Sequence, residues 1–200
     1  MTARNRIAQQ RADWQAREER RRRLIIGGWI LAALAFVGVL AFLVWQETQP
    51  EVRPGVEIPI QGQNHIQLGE PHDPYNSEPP TSGPHYDSPV QAGFYDEAPL
   101  DEYLVHNMEH GHVILWYNCT SMTPEACDQL KADLRAVMGS AGLSAITGTL
   151  KLVAVPRPTL DKPIVLTSWG HMQELDAFDR NAILTFIRAY RDEAPEPGAA

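Results

Sequence analysis

The longest uncharged stretch of the chain is the feature that most restricts its fold. Leu24 to Trp45 is 22 consecutive residues without a charged or strongly polar side chain. At the helical rise of about 1.5 Å per residue this stretch spans roughly 33 Å, enough to cross the hydrocarbon core of a membrane. The 23 residues before it carry eight arginines against three acidic residues. Such a basic cluster stays on the cytoplasmic side, so the sequence predicts a single-pass protein with its N-terminus inside the cell.

A cleaved signal peptide is the competing interpretation of the same stretch. Signal peptides have an apolar core of about 7–15 residues followed by small residues at the cleavage site. Here the apolar run is longer and ends in the bulky sequence Phe42-Leu43-Val44-Trp45. These features favour an uncleaved signal anchor, with the rest of the chain extracytoplasmic at the cell membrane.

The net charge of the chain changes sign at the apolar stretch 24–45. Residues 1–23 carry a formal charge of +5, and the remaining residues carry −13 within the total of −8. An acidic outer domain argues against nucleic acid as its partner. It would attract cations, although acidic surfaces also simply keep exported domains soluble.

Changes in composition along the sequence predict that the chain has five segments. They are a basic cytoplasmic segment at 1–23, the transmembrane helix at 24–45, a linker at 46–57, an extracytoplasmic domain at 58–193 and a tail at 194–200. Residues 58–100 are rich in Pro, Gly, Asn and Asp, with a possible strand at His65–Leu68. Long irregular regions of this kind tend to carry function.

Regular elements are predicted after the histidine-rich segment. Val113–Tyr117 is an apolar, β-rich run, and Leu150–Val155 and Pro163–Trp169 are two further strands. Thr123 and Pro124 form a helix start, and Phe178–Arg191 has the apolar stripe of a second helix. We therefore expect an α+β fold: a transmembrane helix, then a small, mostly antiparallel sheet packed with two helices and a long Pro/Gly-rich irregular region.

Cys119 and Cys127 are the only cysteines. An even number outside the cytoplasm favours a disulfide, which would stabilise the fold by roughly 2–3 kcal/mol. A thiolate metal pair is the alternative, but the spacing differs from the Cys-x-x-Cys of zinc and redox sites.

Four of the seven histidines lie within 28 residues, and three of them belong to the segment His-Asn-Met-Glu-His-Gly-His. Potential metal ligands recur there at every second position, as they would on one face of a strand: His106, Met108, His110 and His112. Gly111 interrupts the strand geometry, so we expect His106 and His110 to meet across a turn. Imidazole and thioether ligands together suit copper, and His85 would join from the proline-rich loop.

Two other interpretations remain open. His106-x-x-Glu109-His110 matches the His-x-x-Glu-His pattern of inverted zinc peptidases, but that chemistry needs a helix, and the sequence predicts none around the motif. Alternatively, the histidines are structural: they are buried and hydrogen-bond to the backbone of the irregular region 58–100, and Glu109 orients one of them.

The motifs Pro79-Pro80-Thr81-Ser82-Gly83-Pro84-His85 and Val105-His106-Asn107-Met108-Glu109-His110-Gly111, with the later Ser168-Trp169-Gly170, resemble a bacterial family. It is the family called domain of unknown function 3105, and the resemblance covers roughly residues 60–193. It implies an exported or membrane-anchored domain whose site includes the motif residues His85, His106, Glu109 and His110. Gly83 and Gly111 also fall in the motifs. At the position of Met108 the resemblance implies leucine in many relatives, and His112 lies outside the motif.

Together these observations predict a membrane-anchored, extracytoplasmic metal-binding protein. The expected ligands are His85, His106, Glu109 and His110, with Met108 and His112 as weaker candidates, and the expected metal is copper, with zinc as the alternative. No catalytic residue is assigned. The partner would be a metalloprotein client or a membrane complex. A non-catalytic interaction domain and, third, a zinc-dependent hydrolase are the alternatives.

Overall fold

A computed structural model describes residues 3–47 and 53–199. These residues form an N-terminal helical unit and a separate compact domain that begins at Arg53. The helices are α1 (Ala3–Glu47), α2 (Asp101–Glu109), α3 (Pro124–Ser140) and α4 (Arg180–Tyr190). The strands are β1 (Val56–Glu57), β2 (His65–Ile66), β3 (His85–Tyr86), β4 (Gly93–Phe94), β5 (Val113–Tyr117), β6 (Leu152–Pro156), β7 (Ile164–Ser168) and β8 (His171–Leu175).

Helix α1 contains the predicted membrane span. Its stretch Arg20–Trp45 is long and apolar enough to cross a membrane, by length and composition. An N-terminal helix of this kind fits both a membrane anchor and a signal sequence. Of the predicted linker, residues 48–52 lie outside the described residues, and its last two residues form β1.

The domain is built on a six-stranded sheet in the order β1-β8-β7-β5-β6-β4. The pairings β1-β8, β8-β7 and β7-β5 are antiparallel, and β5-β6 and β6-β4 are parallel. The short strands β2 and β3 form a second, parallel pair. This arrangement confirms the predicted α+β class and the mostly antiparallel sheet.

Strand β5 is central and buried on both faces, which explains its unbroken apolar sequence. Its odd-numbered side chains, such as Leu115, pack against α3 and α4 in one core cluster. Its even-numbered side chains, such as Trp116, pack with Leu104 and Met108 of α2 in a second cluster on the other face. Helix α2 and the irregular residues therefore cover the face that α3 and α4 leave open.

The domain contains a third helix in addition to the two that the sequence predicts. Helices α3 and α4 and strands β5, β6 and β7 agree with the prediction to within a few residues at each end. Helix α2 is additional, and β8 was not predicted because its sequence His-Met-Gln-Glu-Leu contains three polar residues. That strand lies near the sheet edge, where only one of its five residues is fully buried.

Cys119 and Cys127 lie at disulfide-bond distance, with their Cα atoms 5.4 Å apart. The bridge joins the residues after β5 to the first turn of α3. This geometry is that of the disulfide which the sequence favours over a thiolate metal pair.

Helix α4 depends on one capping side chain. The Asp179 carboxylate accepts hydrogen bonds from the backbone N–H groups of Asn181 at 2.9 Å and Ala182 at 3.0 Å. We expect Asp179→Ala to lower the free energy of unfolding by about 1 kcal/mol, measured by urea denaturation, because two N–H groups lose their acceptor. Asp176→Ala is the matched control, since this exposed residue is outside the helix and should change stability little. Equal effects of the two substitutions would contradict the capping role.

Candidate metal centre

Residues 106–109 of the histidine-rich segment are helical and residues 110 and 111 form the turn that follows, so the strand predicted for the segment is wrong. Helix α2 begins with Asp101 and Glu102, whose negative charges interact favourably with the positive N-terminal end of the helix dipole. Leu104 and Met108 then recur on one side and face the core. The helix ends where Gly111 adopts φ +82°, a conformation that favours glycine. His106 and His110 are one helical turn apart and therefore lie on the same face.

The proline-rich loop brings His85 to this helix. His85 belongs to β3, which pairs in parallel with β2, and the register places His65 directly beside His85. The His85 N–H donates to the Asn64 carbonyl oxygen at 3.0 Å. Gly83 has φ +123°, and a Cβ atom there would lie 3.0 Å from the Tyr75 ring. A glycine at this motif position therefore lets the loop turn closely over Tyr75 into β3.

Four side chains converge at this point: His65, His85, His106 and Glu109. Each offers one ligand atom, and these atoms all lie within 4.8 Å of one another. The Glu109 carboxylate oxygen Oε2 is 2.9 Å from Nε2 of His85 and 3.4 Å from Nε2 of His65. In a tetrahedral site with bonds of about 2.1 Å the ligand atoms lie about 3.4 Å apart. The two distances from Glu109 are close to this spacing, and the widest separation in the group exceeds it by less than about 1.5 Å.

Two of the histidines are fixed through their other ring nitrogen. Nδ1 of His85 donates to the Gly83 carbonyl oxygen at 2.8 Å, and Nδ1 of His106 donates to the Tyr86 carbonyl oxygen at 2.6 Å. A carbonyl oxygen only accepts, so Nδ1 must carry the proton in both rings. Nε2 of each ring then faces the cluster. Metal-binding histidines typically have this second hydrogen bond, which sets the tautomer and the ring orientation.

Burial also favours the neutral form of His106. Loss of solvation lowers the pKa of this imidazole, and the neighbouring imidazoles of His110, His85 and His65 lower it further, against the opposing effect of the Tyr86 carbonyl. A neutral imidazole with its proton on Nδ1 presents a lone pair at Nε2. This is the form that binds a metal ion.

Three of the expected ligands, His85, His106 and Glu109, are in this group, and His65 is the fourth member in place of His110. His110 approaches His106, with their Nε2 atoms 3.0 Å apart. The same Nε2 atom of His110 is 3.8 Å from a carboxylate oxygen of Glu196. His110 therefore borders the cluster without belonging to the group of four.

The weaker candidates lie elsewhere. Met108 is fully buried in the apolar core beneath α2, so its sulfur is used for packing. His112 lines a separate cavity of about 480 Å³ with Val90 and Leu150. Burial, followed by the charge of Lys151, lowers the pKa of His112 to about 4. Neither residue adds a ligand atom to the group of four.

His65 was missed because the sequence offers little to connect it with the motif. It lies in the irregular region, 20 residues before His85, and it reaches the site through a pairing of only two residues. The possible strand at His65–Leu68 was the one signal in the sequence. The first residue of that strand, His65, is the one that pairs with His85.

A buried lysine holds the end of α2. Lys151 is fully buried, and its Nζ donates to the carbonyl oxygens of His110 at 2.7 Å and Pro197 at 2.6 Å. The Asp192 carboxylate is 3.4 Å away and supplies an opposite charge. The backbone N–H of Glu196 also donates to the Glu109 carbonyl oxygen at 3.0 Å. The residues predicted as a tail at 194–200 thus contact the helix that carries two of the four residues.

An arginine connects the other end of α2 with the proline-rich loop. The Arg157 guanidinium donates two hydrogen bonds of 2.8 Å to the Glu78 carboxylate and one of 2.5 Å to Asp101. Glu78 directly precedes the motif that ends at His85, and Asp101 is the first residue of α2. Arg157 therefore ties together the two segments that supply His85 and His106.

An α+β domain with a buried histidine and carboxylate group able to hold a metal ion is the class that this fold and site define. The chain belongs to the family described as Protein of unknown function (DUF3105), whose model matches residues 65–200. This match confirms the resemblance seen in the sequence. No curated protein and no solved structure matches the chain.

Proposed function

We propose that this protein is a membrane-anchored, extracytoplasmic domain that binds one divalent transition-metal ion through His65, His85, His106 and Glu109. The observation that carries the proposal is the convergence of these four side chains, two of them with Nδ1 already committed to a backbone carbonyl. Such prior orientation lowers the entropy lost when an ion binds. In this proposal α1 is an anchor with its N-terminus in the cytoplasm, as its arginines favour.

The donor set favours a divalent ion over Cu(I). Three imidazoles and one carboxylate suit Cu(II) and Zn(II), whereas soft Cu(I) prefers the sulfur ligands of Met and Cys. Met108 is buried in the core and both cysteines are bridged. Of the two ions, Cu(II) binds more tightly to a given set of nitrogen and oxygen ligands. Copper therefore remains the first candidate and zinc the second.

The position of Glu109 fits a metal ligand better than it fits the general base of a zinc hydrolase. The absence of a helix was the objection to a zinc peptidase, and α2 removes that objection. Glu109, however, is only 3% exposed and its Oε2 faces the His85 and His65 rings. In that position it serves as a ligand and cannot be the solvent-facing base that activates water. A domain anchored near the membrane would instead store the ion or deliver it to a metalloprotein client or membrane complex.

Metal titration of the full-length chain in detergent tests this proposal. We expect one equivalent of Cu(II) or Zn(II) to bind and to stabilise the domain. At a free ion concentration about 100 times Kd, the gain in the free energy of unfolding is about 2.7 kcal/mol. Calorimetry and chemical denaturation measure the two quantities. Absence of stoichiometric binding by either ion would refute the proposal and leave the histidines as structural struts.

A further inference from the structure

We propose that His65 is the exchangeable ligand, the side chain through which the ion enters and leaves the site. This inference rests on the proposed function and adds to it that the ion is transferable. The four residues differ in their burial: the His65 side chain is 44% exposed, whereas those of His85 and Glu109 are 0% and 4% exposed. His106 is also buried. Solvent therefore reaches the cluster at His65.

The four residues also differ in how firmly they are held. His85 and His106 each donate Nδ1–H to a backbone carbonyl. Within the described part of the chain, the His65 ring has no such hydrogen bond. Its Nδ1 faces the Asp87 carboxylate at 3.6 Å, and Asp87 is 84% exposed. The His65 ring stacks on the His106 ring at a centroid distance of 5.1 Å and meets the edge of the His85 ring at 4.8 Å, but neither contact fixes one of its nitrogens through a hydrogen bond to the backbone.

His65 thus stands between an outer and an inner carboxylate. Nδ1 faces Asp87 at the surface, and Nε2 faces the buried Glu109 at 3.4 Å. An approaching cation meets Asp87 and His65 before it reaches Glu109. Rotation of His65 then opens the coordination sphere while His85, His106 and Glu109 keep their positions. The protein would enclose a structural ion on all sides. Because His65 is exposed, the arrangement assigns this site to the exchange of its ion.

Imidazole rescue tests the assignment, with Zn(II) as the probe ion and the full-length chain in detergent. We expect His65→Gly to weaken Zn(II) binding only about tenfold, because solvent water can take this exposed ligand position, and to speed release to an excess chelator by a similar factor. Millimolar imidazole should reverse both changes, because it can enter from solvent and replace the missing ring. His85→Gly should weaken binding by at least about 100-fold and resist rescue, because its position is fully buried. His65→Asn serves as a second variant that keeps a side chain on β2.

The possible failures are distinguishable. If the wild-type chain binds no Zn(II) and no Cu(II), the proposed function itself is wrong. If the wild type binds Zn(II) but His65→Gly and His65→Asn release it no faster than the wild type, the exchange role of His65 is wrong. The exchange role is equally wrong if imidazole restores His85→Gly as well as His65→Gly.

Discussion

Replacement of His85 should abolish metal binding. We expect His85→Ala to weaken the binding of Cu(II) and Zn(II) by at least about 100-fold, because loss of an outer partner alone typically costs 10–100-fold and His85 is a direct ligand in the proposed site. Nothing in solvent can replace its ring, since the position is fully buried. Calorimetric titration of the full-length chain measures the loss.

The His85 experiment needs a variant that keeps the fold. Alanine leaves the buried Glu109 carboxylate without its 2.9 Å partner and destabilises the metal-free domain. His85→Gln retains a hydrogen-bonding group of similar length but lacks the imidazole, so we expect it to fold and still fail to bind. His72→Ala is the matched control, because this histidine pairs with Glu102 outside the group of four. Normal binding by folded His85→Gln would remove His85 from the ligand set.

Removal of the buried charge at Lys151 should cause the largest loss of stability. We expect Lys151→Met to lower the free energy of unfolding by about 3–5 kcal/mol, because it strands two carbonyl oxygens and the mostly buried Asp192 carboxylate. Methionine fills much of the same volume, so the loss reports the missing ammonium group. Chemical denaturation of the metal-free protein measures it.

Lys162→Met is the control for Lys151. Lys162 is an exposed residue paired with Asp176 at the surface, and solvent screens that pair. The two variants carry the same change of charge. If both lower stability equally, Lys151 does not hold the end of α2 in the way that its contacts indicate.

The sequence predicted the elements whose signals are local. Val113–Tyr117 is an uninterrupted apolar run, and Thr123 with Pro124 begins a helix by capping and by its fixed backbone angle. Each of these signals acts over a few neighbouring residues. The bounds of β5 and α3 therefore followed closely from sequence.

The candidate site was harder to predict because its geometry depends on distant contacts. Helix α2 is only nine residues long, a length that is marginal without tertiary packing. The alternating histidines drew attention to a strand, although Leu104 and Met108 already had helical spacing. His65 reaches Glu109 only through the β2-β3 pairing, which no periodicity reveals.

The contacts between α2 and the segment near Pro197 set the time at which the site can form during synthesis. The four residues of the proposed site lie between residues 65 and 109, but the helix that carries two of them is held by the backbone of Glu196 and, through Lys151, by Pro197. Residues 65–109 leave the ribosome before the segment near Pro197 does. If the proposed site binds an ion, we therefore expect binding to follow completion of the whole domain, as a late step of maturation.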